Sequence, residues 1–140
     1  MIKKIITHDG LFHADELMAI ALIFETIGEV PVERTRTIST DDVLNFDVWI
    51  IDVGGKHDPY FKLFDHHHDA DLPASCSLIL NHLWVNDVIS IELYKELNSV
   101  FDVISEIDKG GPAMFNGFQV NSLIKSFNSL DNGFQLALDV

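Results

Sequence analysis

The segment FDVWIIDVGG, residues 46–55, constrains the fold more than any other stretch. Its apolar residues run consecutively up to a carboxylate and a glycine pair, so no single face of a strand can take them all. A strand of this kind is buried on both sides, which calls for a mainly parallel sheet covered by helices. IKKII (2–6) reads as a shorter strand ending at Thr7, VPVERTR (30–36) as another by its alternation, and YFKLFD (60–65) as a fourth. In HADELMAIALIFETIG, Leu17, Ile20, Ala21 and Phe24 recur at three- and four-residue steps before Gly28, which predicts a helix. SCSLILNHLW (75–84) and ISIELYKELNSVFDVISEID (89–108) read as two more. The second carries a stripe of Leu93, Leu97, Val100, Ile104 and Ile107. VNSLIKSFNSL and the terminal GFQLALDV are shorter helical candidates. Strand–helix alternation up to residue 65, then helices alone, predicts an α/β fold: a mainly parallel β-sheet flanked by helices, with a helical C-terminal part.

No linker, repeat or low-complexity tract divides the 140 residues, so a single domain over 1–140 is expected. The longest apolar run, Leu17 to Phe24, is well short of the roughly 20 residues of a membrane helix, and Lys3 and Lys4 are not followed by a leader-like core. One cysteine, Cys76, forms no internal disulfide. The expectation is a cytoplasmic chain without membrane contact. A net charge of −13 argues against a broad electropositive surface for duplex nucleic acid. It still admits a phosphorylated substrate, because bound cations invert the sign of a site locally.

Ligands of open α/β sheets sit at the carboxyl ends of the strands. Thr7-His8, Asp52 and Asp65-His66-His67 each end a predicted strand, so three polar clusters fall where this architecture carries chemistry. In THDGLFHADE, His8 and His13 flank a glycine loop and Asp15 opens the helix. An aspartate there has a plain role at a helix N-terminus, but the two imidazoles do not help capping and do bind metal. Asp52 is either a turn aspartate bonded to the Gly54-Gly55 backbone or a carboxylate bridging two cations. In FDHHHD three consecutive histidines cannot all reach one ion. One as ligand, the next facing substrate and Asp65 orienting an imidazole is the better division, with His68, Asp69 and Asp71 left to solvent. Asp108 ends a long helix, where a negative charge opposes the dipole and needs compensation. His82, on an apolar helix, reads as a core histidine.

A donor set of histidine and aspartate without thiolate suits Mn²⁺, with Mg²⁺ or Fe²⁺ as alternatives. Two such cations about 3.5–4 Å apart, sharing a carboxylate, support hydrolysis of a phosphoester or phosphoanhydride.

THDGLFHADE, DVGGKHDP, FDHH and EIDKGG stand in the order of the four motifs of the DHH phosphoesterase superfamily, which the chain resembles over nearly its whole length. It is most similar to the MYG (melanocyte-proliferating-gene) exonuclease family, sharing the opening histidine–glycine–histidine–aspartate motif and the valine–glycine–glycine second motif. The resemblance implies a DHH-type domain holding two divalent metal ions. His8 and His13 would hold the first, Asp15, His66 and Asp108 the second, and Asp52 would bridge. His13 stands where many superfamily members have aspartate. His67 would face the scissile phosphate, steadied through Asp65, and Arg34 and Arg36 are candidate phosphate contacts. The implied activity is hydrolysis of nucleotides or short single-stranded nucleic acid. Too few residues follow Asp108 for the family's substrate-clamping second lobe. The expectation is therefore a minimal member, or a homo-oligomer or partner chain that supplies the lobe. The alternative is a non-catalytic metal-binding or regulatory module.

Overall fold

The computed structural model describes residues 1–110 together with Phe134, Gln135 and Leu138. The predicted helix at 120–130 and most of the one at 133–140 lie outside these residues. Phe134, Gln135 and Leu138 are helical.

Five strands form one sheet: β1 (Lys4–Thr7), β2 (Val32–Arg34), β3 (Val48–Ile51), β4 (His57–Asp58) and β5 (Leu63–Phe64). Their order is β2-β1-β3-β5-β4, parallel except for β4, which pairs antiparallel with β5. The helices are α1 (Ala14–Thr26), α2 (Thr40–Val43), α3 (Ser75–Val85) and α4 (Ile91–Asp108). The α/β class expected from the sequence is what the chain adopts.

The consecutive apolar run resolves into two faces. Trp49 and Ile51 point into the larger core with Ile5, Phe64 and the buried sides of α1, α3 and α4. Val48 and Ile50 point the other way, joining Ile6, Val53 and Leu63 under Ile38, Val43 and Phe61. The strand is nevertheless shorter than the run. Asp52 takes a left-handed conformation (φ 61°), and Gly54 and Gly55 follow with φ 99° and 72°. Extended pairing stops there because the chain turns over the top of the sheet.

Other expectations are corrected. The segment 60–65 is not one strand: Pro59–Phe61 is a 3₁₀ turn, started by proline and capped by Asp58, and only Leu63–Phe64 pairs with β3. The edge strand β4 and the one-turn helix α2 were not predicted; both are too short to show periodicity. On α4 the buried side is rotated from the predicted stripe. Phe101, Ile104 and Ser105 are buried with Leu93, Tyr94 and Leu97 against them, while Val100 is exposed. α3 lies on the Tyr94–Phe101 side of the helix, as the Trp84–Tyr94 stack at 4.4 Å shows. On α1, of the predicted residues Leu17 and Ile20 are buried while Ala21 and Phe24 are half-buried, and burial takes in Ala19, Leu22 and Ile23 instead. No helix among the described residues is long and apolar enough to cross a membrane.

Because β1, β3 and β5 run parallel side by side, their carboxyl ends place His8, Asp52 and Asp65-His66 along one edge. β1 is also the strand from which the chain proceeds to both sides, to β2 and then across to β3. Its top is therefore a topological switch point.

Candidate metal centre

Asp52 stands at the middle of this edge, almost wholly buried. Its two oxygens face different histidines: Oδ2 lies 3.3 Å from His8 Nε2, and Oδ1 lies 3.3 Å from His66 Nε2. Ser75 Oγ donates to Oδ1 at 3.3 Å. The glycine backbone that a turn aspartate would bind is taken by another residue, since Gly55 N donates to Asp65 Oδ2 at 2.7 Å. Burial raises the Asp52 pKa, but the close His66 and His8 imidazoles outweigh it and hold the carboxylate well below its usual range.

On the His66 side, Nε2 lies 3.1 Å from Asp108 Oδ2 and 3.4 Å from Asp15 Oδ2, as well as against Asp52. None of these contacts is a well-formed hydrogen bond, leaving Nε2 without such a partner among the described residues. Burial lowers the His66 pKa, yet Asp108, Asp15 and Asp52 together push it up to about 12. A nitrogen hemmed in by three carboxylates but aligned with none fits a cation ligand better than a hydrogen-bond donor.

Asp15 is placed by the start of α3 rather than by its own helix. Its oxygens accept from Cys76 N at 2.6 Å and Ser75 N at 3.1 Å. The N–H before these, Ala74 N, donates to Ser105 Oγ of α4 at 2.7 Å. Three free donors of the α3 N-terminus are thereby met by side chains from α1 and α4. The same bonds hold Asp15 under His66. Burial raises the Asp15 pKa to about 7, against the lowering effect of the nearby His66 ring.

On the other side, His8 and His13 rings lie 6.0 Å apart. His8 Nδ1 meets the Asp9 carbonyl at 2.9 Å, which turns Nε2 inward. There hydrogen bonds to Asp52 and Glu16 raise the His8 pKa to about 10. Glu16 was not among the residues predicted from the sequence. It is fully buried, 3.0 Å from His8 Nε2 through Oε1, and it closes a capping box at the α1 N-terminus by accepting His13 N at 2.9 Å. His13 is thus the N-cap of α1, which corrects the expectation that neither imidazole serves the cap, and the burial of Glu16 beside His8 was not expected.

Asp65 receives His66 N at 2.8 Å and His67 N at 3.3 Å, and its Oδ1 sits 2.6 Å from His67 Nδ1. Burial raises the Asp65 pKa, but the donors Gly55 and His67 prevail and lower it. His67 itself is exposed and lines a cleft of about 450 Å³ with His8, His13, Asp52, Asp65 and Asp108. Arg36 also lines this cleft, tied to Asp9 at 3.0 Å.

Arg34 is not among the lining residues. Its guanidinium donates to the Gly10 carbonyl at 2.6 Å and lies over the Phe134 and Phe12 rings, at 4.6 and 5.4 Å. It holds the β1–α1 loop from behind. His68 is exposed, and His82 packs edge-on to Phe64 and Trp49, where burial lowers its pKa to about 4.

Among the described residues, three groups of side chains bring ligand atoms within 4.8 Å of one another: His8, His13 and Glu16; Asp15, His66 and Asp108; and Asp52, Asp65, His66 and His67. Each could hold a metal ion, and Asp52 lies between the first two.

MYG1 proteins of Chlamydia trachomatis and Chlamydia pneumoniae are 32% and 35% identical to the chain, covering 94% and 90% of it but 46% and 44% of their own length. The mouse protein named MYG1 exonuclease is 26% identical over 93% of the chain and 35% of its own length. The chain thus spans about half the length, or less, of the curated relatives it matches. No solved structure matches it. Residues 4–74, slightly more than half of the chain and the span that carries His8, His13, Asp15, Asp52 and His66, match the profile of MYG1 exonuclease-type proteins, described as uncharacterised protein family UPF0160, and the chain belongs to that family.

Proposed function

We propose that this chain is the metal-binding domain of a phosphohydrolase of the DHH phosphoesterase type, holding two divalent cations and cleaving phosphodiester or phosphoanhydride bonds. The observation that carries the reading is the Asp52 carboxylate, with one oxygen facing His8 and the other His66 at the same 3.3 Å. His8 and His13 would hold one cation, Asp15, His66 and Asp108 the other, with Asp52 shared. Imidazole and carboxylate donors suit Mn²⁺ best, ahead of Mg²⁺ or Fe²⁺. A pair of such ions clamps a phosphoryl group and supplies an activated water near neutral pH.

The chain's own groups then have distinct tasks. Asp65 fixes His67 through Nδ1, so Nε2 is the nitrogen left for a substrate in the cleft, where it steadies phosphate charge or protonates the leaving oxygen. Arg36, at the rim, meets an anionic substrate; Arg34 supports the loop that carries His8 and His13. The exonuclease names of the mammalian relatives support nucleotides or short single-stranded nucleic acid as the substrate class.

The test is hydrolysis of a chromogenic phosphodiester and of a short single-stranded RNA, with Mn²⁺ and with chelator. The reading expects turnover only with metal, and its loss in Asp52→Asn. Equal rates in Asp52→Asn and wild type, or no turnover of either substrate with Mn²⁺, would overturn it.

A further inference from the structure

We infer that Glu16 is itself a ligand of the cation held by His8 and His13, through Oε2, an assignment that rests on the two-cation reading above. The side chain is fully buried at the first turn of α1. Its two oxygens are used unequally. Oε1 accepts His13 N and lies near His8 Nε2, while Oε2 has no hydrogen-bond partner among the described residues and faces His13 Nδ1 at 4.0 Å. A helix cap needs one acceptor, and a neutral glutamine would supply it. A fully buried carboxylate with one oxygen unmet is costly unless a cation meets it.

A role in merely orienting His8 does not account for the arrangement. His8 Nδ1 already meets the Asp9 carbonyl, so Nε2 is the nitrogen available to a metal. Once Nε2 ligates, it no longer donates to Glu16, and the orienting bond would vanish in the loaded state. With Glu16 the first set becomes two imidazoles and two carboxylates, counting Asp52. The second set has one imidazole and three carboxylates. The nitrogen-richer set prefers later first-row metals, and the oxygen-richer one Mg²⁺ or Mn²⁺.

The experiment is calorimetric titration of the chain with Mn²⁺ alone, for wild type, Glu16→Gln and Glu16→Ala, with thermal melts of each metal-free protein. Glu16→Gln keeps the cap acceptor and loses the ligand charge. The expected result is two sites in wild type, with one of them weakened about tenfold or more in both variants and the other unchanged. The d–d bands of the first bound Co²⁺ should also shift in Glu16→Gln. Two sites of unaltered affinity in a folded Glu16→Gln would overturn the assignment while leaving the two-cation reading intact; no binding by wild type would overturn both. If neither variant folds, wild-type crystals soaked in Mn²⁺ decide, with Oε2 inside or outside coordination distance of an ion.

Discussion

At the residue scale, His67 and His68 are adjacent and chemically identical, yet only His67 is anchored by a buried carboxylate beside the cleft. His67→Ala is therefore expected to lower kcat by about 10²–10⁴-fold with Mn²⁺ stoichiometry unchanged, the range for losing a positioned acid–base group. His68→Ala should leave steady-state kinetics unaltered, and equal losses in the two variants would remove the distinction. The polar residues that the structure brings together around Asp52 were visible in the sequence because each interrupts or ends an apolar element. Two residues have surroundings that the sequence did not convey. Glu16 follows Asp15 in the first turn of α1, and nothing in its spacing marks it as buried beside His8. Arg34 was a candidate phosphate contact, and its partners in the structure, the Gly10 carbonyl and the Phe134 ring, are distant in sequence.

Among the elements, the N-terminus of α3 matters most to the site. Its first N–H groups are divided between Asp15 of α1 and Ser105 of α4, so three helices are locked together by bonds that also aim a carboxylate at His66. Ser105→Ala leaves the buried Ala74 N–H without its acceptor and should cost about 1–3 kcal/mol in urea unfolding. A change within experimental error would mean that water or a local shift satisfies the donor. The long helices and the buried strand β3 were legible because their apolar patterns extend over several turns or a whole run. The two-residue strand β4 was not, and β5 was read too long at its start, since their extent is fixed by the Pro59 turn and by their neighbours rather than by any period of their own.

For the molecule as a whole, the metal-free fold keeps protons on the residues that would bind cations. His8 at about 10 and His66 at about 12 lie above the ordinary imidazole value of 6.5. A raised value in the folded state stabilises the metal-free fold fully below pH 6.5, and that contribution is lost as pH rises through the folded values. Metal ligation requires the neutral ring, so each cation displaces a proton from its histidine near neutrality. Apparent Mn²⁺ affinity should therefore rise by about one logarithmic unit per pH unit for each ion between about pH 7.5 and 9. Asp15, at about 7, adds a further proton on the His66 side below that pH. Titrations in buffers of different ionisation enthalpy would count the released protons, and a pH-independent affinity would contradict this account. Bound Mn²⁺ should also raise the melting temperature, because it binds the folded state alone. The most direct measurement is anomalous scattering from a crystal soaked in Mn²⁺. Two peaks on either side of Asp52 are predicted, one touching His8 and His13, the other Asp15, His66 and Asp108. A crystal with no peak at Asp52, or with ions bound only elsewhere on this acidic surface, would contradict it.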